Sequence, residues 1–123
     1  MLIMNNENLK QRTKLFALEV IKLVESLPPG QTCKILGNQL LRSGTSVGAN
    51  YRAVCRAKST ADFISKMGTV EEEADESGYW LELLVDSGKV KISNVSVLLK
   101  EAGELTAIAV ASINTARKSG GRQ

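Results

Sequence analysis

Residues 62–86 read DFISKMGTVEEEADESGYWLELLVD. Within this stretch Phe63, Met67, Val70, Ala74, Ser77, Leu81 and Leu84 follow one another in alternating steps of four and three. That spacing keeps one side of an α-helix apolar and turns it toward a neighbouring helix. Ser59 stands three residues before Asp62, the arrangement of a capped helix start, and Gly88 supplies the conformation that closes a helix end. The pattern therefore predicts one long amphipathic helix over 60–86.

Working outward, the same period recurs three times. A first helix is expected over about 8–27, with Leu9, Phe16, Val20, Leu23 and Leu27 as its seam and Leu15, Leu18, Ile21 and Val24 broadening that face. Pro28, Pro29 and Gly30 stop it. A second helix over about 32–58 has the seam Leu36, Leu40, Ser43, Val47, Asn50 and Val54. A fourth, over 93–118, carries Val95, Leu98, Ala102, Leu105, Ala109, Ser112 and Ala116, and residues 119–123 read as a flexible tail. The connection KVKI at 89–92 is too short to compete as a strand. The fold class is all-α: a single domain over 1–123 forming an up-down-up-down, left-handed four-helix bundle.

A chain of 123 residues can bury a core without metals or disulfides. Cys33 and Cys55 would lie about 33 Å apart on one helix, so they are expected as free thiols rather than a disulfide. Histidine is absent, which removes the commonest general base and the commonest metal ligand. The acidic run Glu71–Glu76 lacks a second carboxylate cluster to complete a di-metal site, and no serine or cysteine stands in a nucleophile motif. The expectation is a protein that is not an enzyme, with no cofactor and no metal. The start lacks the features of a secretory signal and no segment suits a bilayer, so a cytoplasmic protein with no membrane contact is expected.

Charge is unevenly distributed around a net +3. Residues 1–58 hold nine Lys/Arg against three Asp/Glu, and residues 59–123 hold seven against ten. On the second helix Lys34, Arg42, Arg52 and Arg56 fall in a sector of roughly 80° opposite the seam, with no acid on that helix. This stripe is the candidate nucleic-acid contact. Aromatic side chains for base stacking are missing from it, so it would bind phosphates with little sequence selectivity.

A third sector of the second helix collects Gly37, Leu41, Gly44, Gly48 and Cys55. Helical glycine costs about 1 kcal/mol relative to alanine, so three on one side imply a closely approaching neighbour. That neighbour is either a helix of the same chain or another subunit. GTSVG followed by AN fails the spacing and the Lys-Ser/Thr of a phosphate loop. Ser43 and Asn50 are polar groups at core positions that need partners and would fix helix register. On the third helix Glu72, Glu76, Tyr79 and Leu83, with Trp80 beside them, line the face away from the seam; they read as an oligomer interface together with Gly44 and Gly48, unless Trp80 tilts into the core.

Three blocks, QLLRSGTSVGANYRA at 39–53, STADFISKM at 59–67 and ESGYWLELL at 76–84, resemble the bacterial four-helix-bundle proteins named for intervening sequences in 23S ribosomal RNA genes. Gln39, Arg42, Ser46, Ala49, Asn50, Ser59, Asp62, Phe63, Lys66, Glu76, Tyr79, Trp80 and Leu81 carry the resemblance. Where such proteins often place an acid and a glycine after the asparagine, this chain has Arg52, Ala53 and Val54. A role for that acid does not carry over.

The resemblance implies a homo-oligomer, commonly a pentamer. It also implies kinship with the accessory proteins of diversity-generating retroelements, which bind a reverse transcriptase and nucleic acid. Two functions are expected from these features. One is a non-enzymatic homo-oligomeric bundle binding RNA or DNA through Lys34, Arg42, Arg52 and Arg56, with a reverse transcriptase or ribosome-associated factor as a possible protein partner. The other is a protein-interaction scaffold in which the same basic helix pairs with the acidic third helix of a neighbouring subunit.

Overall fold

The computed structural model of the chain describes residues 6–120 and holds four helices: α1 (Asn6–Glu25), α2 (Gln31–Val54), α3 (Thr60–Asp86) and α4 (Ile92–Gly120). They run alternately up and down. Neighbours in sequence pack along their lengths, whereas α1 and α4, which close the bundle, touch only sparsely. Residues 121–123 of the expected tail lie outside the described residues, and residues 119 and 120 belong to α4.

The helix ends follow local chemistry. After α1, single-turn bonds from Ser26 N to Leu23 O and Leu27 N to Val24 O lead into the prolines. α2 ends at Val54, four residues short of the expected Lys58, and the chain tightens through Arg56 N to Ala53 O and Ala57 N to Val54 O. The start of α3 competes for this segment. Ser59 Oγ accepts from Asp62 N at 3.0 Å, and Asp62 Oδ2 accepts from Lys58 N at 3.0 Å. At the other end of α3, Gly88 takes φ +77° while Lys89 N reaches Leu84 O and Gly88 N reaches Val85 O, the paired bonds that close a helix through a left-handed residue.

The seams expected for α2, α3 and α4 supply most of the core. Leu40, Val47, Val54, Met67, Val70, Ala74, Leu81, Leu84, Val95, Leu98, Ala102, Leu105 and Ala109 are buried. Three corrections apply, of which the one in α4 follows from the drift of a straight helix against a seven-residue repeat. In α4, Ile113 is buried and Ser112 and Ala116 are only half-buried. In α1, Thr13 fills the missing seam position between Leu9 and Phe16, with its hydroxyl donating to Leu9 O at 2.7 Å. Leu15 and Leu18 do not broaden the core face; they point to solvent. In α2, Tyr51 is buried while the seam residue Asn50 is only half-buried.

Candidate nucleic-acid interface

The outward face of α2 holds Lys34, Arg42 and Arg52, while Arg56, expected on the same helix, lies in the turn just past its end at Val54. Lys34, Arg52 and Arg56 are exposed, and no carboxylate lies within 4 Å of them among the described residues. Arg56 Nη1 donates to Arg52 O at 3.2 Å, where a cation also meets the negative end of the helix dipole.

Arg42 behaves differently. Its Nη1 donates to both carboxylate oxygens of Glu73, at 3.3 and 3.4 Å, its Nη2 pairs with Glu76, and its Nε reaches Gln39 Oε1 at 3.3 Å. Glu76 Oε2 accepts a second bond from Trp80 Nε1 at 3.0 Å, and the Trp80 ring meets Tyr79 edge-on with centroids 5.1 Å apart. One guanidinium thus faces two carboxylates, leaving a local excess of negative charge that disfavours a phosphate. Arg42, expected to meet a phosphate or a neighbouring subunit, is engaged by its own chain. Gln39, Arg42, Glu76, Tyr79 and Trp80 were separate members of the quoted blocks; the fold joins them into one cluster between α2 and α3.

The glycine sector is also filled from within. A methyl group at Gly44 would lie 2.9 Å from both γ-carbons of Val20, and one at Gly48 would lie 3.1 Å from Thr13 Oγ1. Gly37 faces Leu27 in the same manner, at 3.0 Å. Of the two neighbours left open by sequence, the groove receives α1 of the same chain, so Gly44 and Gly48 are not placed at a subunit contact. Ser43 is fully buried and bonded to Ser77; Asn50 is half-buried and donates to Ser46 O at 2.8 Å. Of the residues read as an oligomer face, Glu76 is committed to Arg42, Trp80 packs half-buried against the core and Leu83 is half-buried, so Glu72 and Tyr79 are the exposed ones.

The sequence did not disclose the opposite side of the bundle. Between α1 and α4 runs an open groove of about 1080 Å³, lined by Leu15, Phe16, Leu23, Val97 and Leu98 among others. Leu15 is 60% exposed and Val97 81%. Arg12 closes one part of this groove, donating through Nε and Nη2 to Glu101 at 2.6 and 2.8 Å and through Nη2 to Glu104 at 2.6 Å. The hydrogen bonds to Glu101 raise the guanidinium's proton affinity, despite partial desolvation. Leu15 and Val97, apolar and off the core seams, were the only sequence signal of this face. Nothing in the sequence sets α1 in register with α4. Among the described residues no helix is long and apolar enough to cross a membrane.

No curated protein matches the chain. A crystal structure of a Bacteroides thetaiotaomicron protein of unknown function, from the S23 ribosomal protein family, superposes with a TM-score of 0.82 at 32% identity, covering 90% of this chain and 99% of that one. The family model described as 23S rRNA-intervening sequence protein matches residues 5–111, which takes in all three quoted blocks. With four helices in the expected order and this match over most of its length, the chain belongs to the 23S rRNA-intervening sequence protein family.

Proposed function

We propose that this chain is a non-enzymatic, homo-oligomeric bundle that works in the cytoplasm and binds nucleic acid, RNA foremost, through phosphate contacts. The observation that carries the reading is the state of α2's cations. Lys34 and Arg52 on α2, a helix without a single acid, and Arg56 just past its end are exposed with no carboxylate partner among the described residues. Long flexible cations left in water without carboxylate partners contribute little to stability, and they are the groups that release counterions from a polyanion. The oligomeric part of the reading is supported by the groove between α1 and α4. A second copy of the chain would cover Leu15 and Val97, which otherwise expose apolar surface beside a cleft.

The competing scaffold reading loses its strongest pair, since Arg42 already satisfies Glu73 and Glu76 of its own chain. Polarisation titrations of a structured RNA at rising salt test the proposal. Affinity should fall steeply with salt, and the variant K34A/R52A/R56A should bind more weakly with a shallower salt dependence. Unchanged binding by that variant overturns the phosphate contacts. Dissociation of an oligomer by the same variant, with no RNA bound by the parent protein, selects the scaffold.

A further inference from the structure

The alternating direction of the helices brings the start of α1, the α2–α3 connection and the end of α4 to one pole of the bundle. The register is fixed by contacts. Thr13 lies against Gly48, a methyl at Gly120 would stand 3.2 Å from Thr60 Cγ2, and a shallow cavity is lined by Val54, Lys58, Phe63 and Ala116.

At this pole stand Lys10, Arg52, Arg56, Lys58, Lys66, Arg117 and Lys118, against only Glu7 and Asp62. Elsewhere among the described residues acids outnumber bases by eleven to eight. The chain's positive excess is therefore a property of one end. In sequence it looked like a basic half followed by an acidic half, but folding converts it into a charge separation along the bundle axis.

The two acids of the pole are already used. Glu7 lies 3.7 Å from Lys10, and Asp62 accepts from Lys66 at 2.7 Å. The hydrogen bond from Lys66 and that from the Lys58 backbone hold the Asp62 carboxyl below its usual range, so it stays ionised beside those cations. Among the described residues, Arg52, Arg56, Lys58, Arg117 and Lys118 are exposed with no carboxylate within 4 Å. Helix dipoles do not neutralise them, because two C-termini, of α2 and α4, meet two N-termini, of α1 and α3, and their partial charges offset. Lys34 sits at the far end of α2, about 27 Å from Arg52 by helical rise.

We infer that the phosphate-binding surface is this basic pole, built by Arg52 and Arg56 together with Lys58, Arg117 and Lys118, and not a stripe running along α2 through Arg42 to Lys34. The inference rests on the nucleic-acid reading above and relocates its site. A bundle end about 20 Å across, two helices wide, faces on the order of ten phosphates of a duplex, so five cations can each find one.

The test is a salt titration of binding to a structured RNA by the full chain, by K58A/R117A/K118A and by K34A. The parent slope of log affinity against log salt should be about −4, from about five phosphates at 0.7–0.9 each. The triple variant should lose roughly two to three units of slope and on the order of a hundredfold in affinity near 0.1 M salt, while K34A stays within about twofold of the parent. All these side chains are exposed, so helical circular dichroism should be unchanged. If the parent binds, K34A weakens it and the triple variant does not, the pole is wrong while nucleic-acid binding stands. If the parent binds no RNA, or binds only phosphatidylserine vesicles, both readings fall.

Discussion

The hydroxyl of Ser77 on α3 donates to the hydroxyl of Ser43 on α2 across 2.9 Å, with both residues fully buried. Ser43 in turn reaches Leu40 O at 3.3 Å, and Ser77 has Glu73 O at 2.8 Å as an alternative acceptor. Each hydroxyl therefore keeps a backbone acceptor if the other is lost. Ser43→Ala and Ser77→Ala should each destabilise by about 1 kcal/mol rather than the larger cost of an orphaned polar group. A double-mutant cycle by urea denaturation should give a coupling of roughly 0.5–1 kcal/mol. Strictly additive effects would show that the inter-helix bond contributes nothing.

The α1–α2 contact is set by absent side chains. At Gly44 a methyl group meets both γ-carbons of Val20 at 2.9 Å and its β-carbon at 3.2 Å, and Val20 is itself fully buried and cannot swing away. Gly44→Ala gains up to about 1 kcal/mol of helix propensity but should lose more through overpacking of about 1–3 kcal/mol. The diagnostic variant is Gly44→Ala with Val20→Ala. Removing the γ-carbons should cost less in the Gly44→Ala background than in the parent, and equal costs would place the strain elsewhere.

How far these features could be read beforehand depended on whether one helix or two define them. Phe63 to Leu84 gave α3 outright because a seam is a property of a single helix, and Ser59 with Asp62 marked its start within the same short segment. The glycines at 37, 44 and 48 announced a close neighbour without naming it, since the identity of that neighbour is set by how α1 docks. The basic stripe was legible as residue types on one helix, yet Arg42 left it because α3 supplies Glu73 and Glu76 at its level. Lys58, Arg117 and Lys118 come from different helices, and only the antiparallel order of the bundle places them together.

Arg12 is the polar clamp across the sparse α1–α4 side, with bidentate bonds to Glu101 at 2.6 and 2.8 Å. The groups are about a quarter exposed, so solvent screening reduces the pair below a fully buried one. The Arg12–Glu101 coupling from a double-mutant cycle is expected at roughly 1–2 kcal/mol. Arg12→Ala should also speed amide exchange in α1 ahead of α2 and α3, because α1 has little else holding it to α4. Uniform exchange across all helices would argue against the clamp.

Tyr51 gives the chain an alkaline limit. Burial first, and its hydrogen bond to Cys55 second, raise the phenol above its usual value of 10.0. The sign is that of an acid whose charged form is disfavoured by folding. Its contribution is fully present below pH about 10, where both states are protonated, and is lost as pH rises toward the folded value because the unfolded state ionises first. Stability measured by denaturation should fall above pH about 10, and Tyr51→Phe should flatten that fall. An identical decline in the variant would assign it to other groups.

Arg42 separates the structural cations from those available to a ligand. Because its guanidinium is shared between Glu73 and Glu76, Arg42→Ala leaves two carboxylates side by side with no counter-charge, and Glu76 keeps only the Trp80 indole as a partner. A stability loss of about 1–2 kcal/mol is expected, partly restored by Glu73→Gln in the same chain. The single tryptophan reports the event directly, since release of Glu76 alters the surroundings of the Trp80 ring and should shift its fluorescence. RNA affinity, by contrast, should stay within about twofold of the parent, the residual change coming from long-range charge alone. A hundredfold loss of RNA affinity with unchanged fluorescence would return Arg42 to the binding surface and make its pairing with α3 a contact that the ligand displaces.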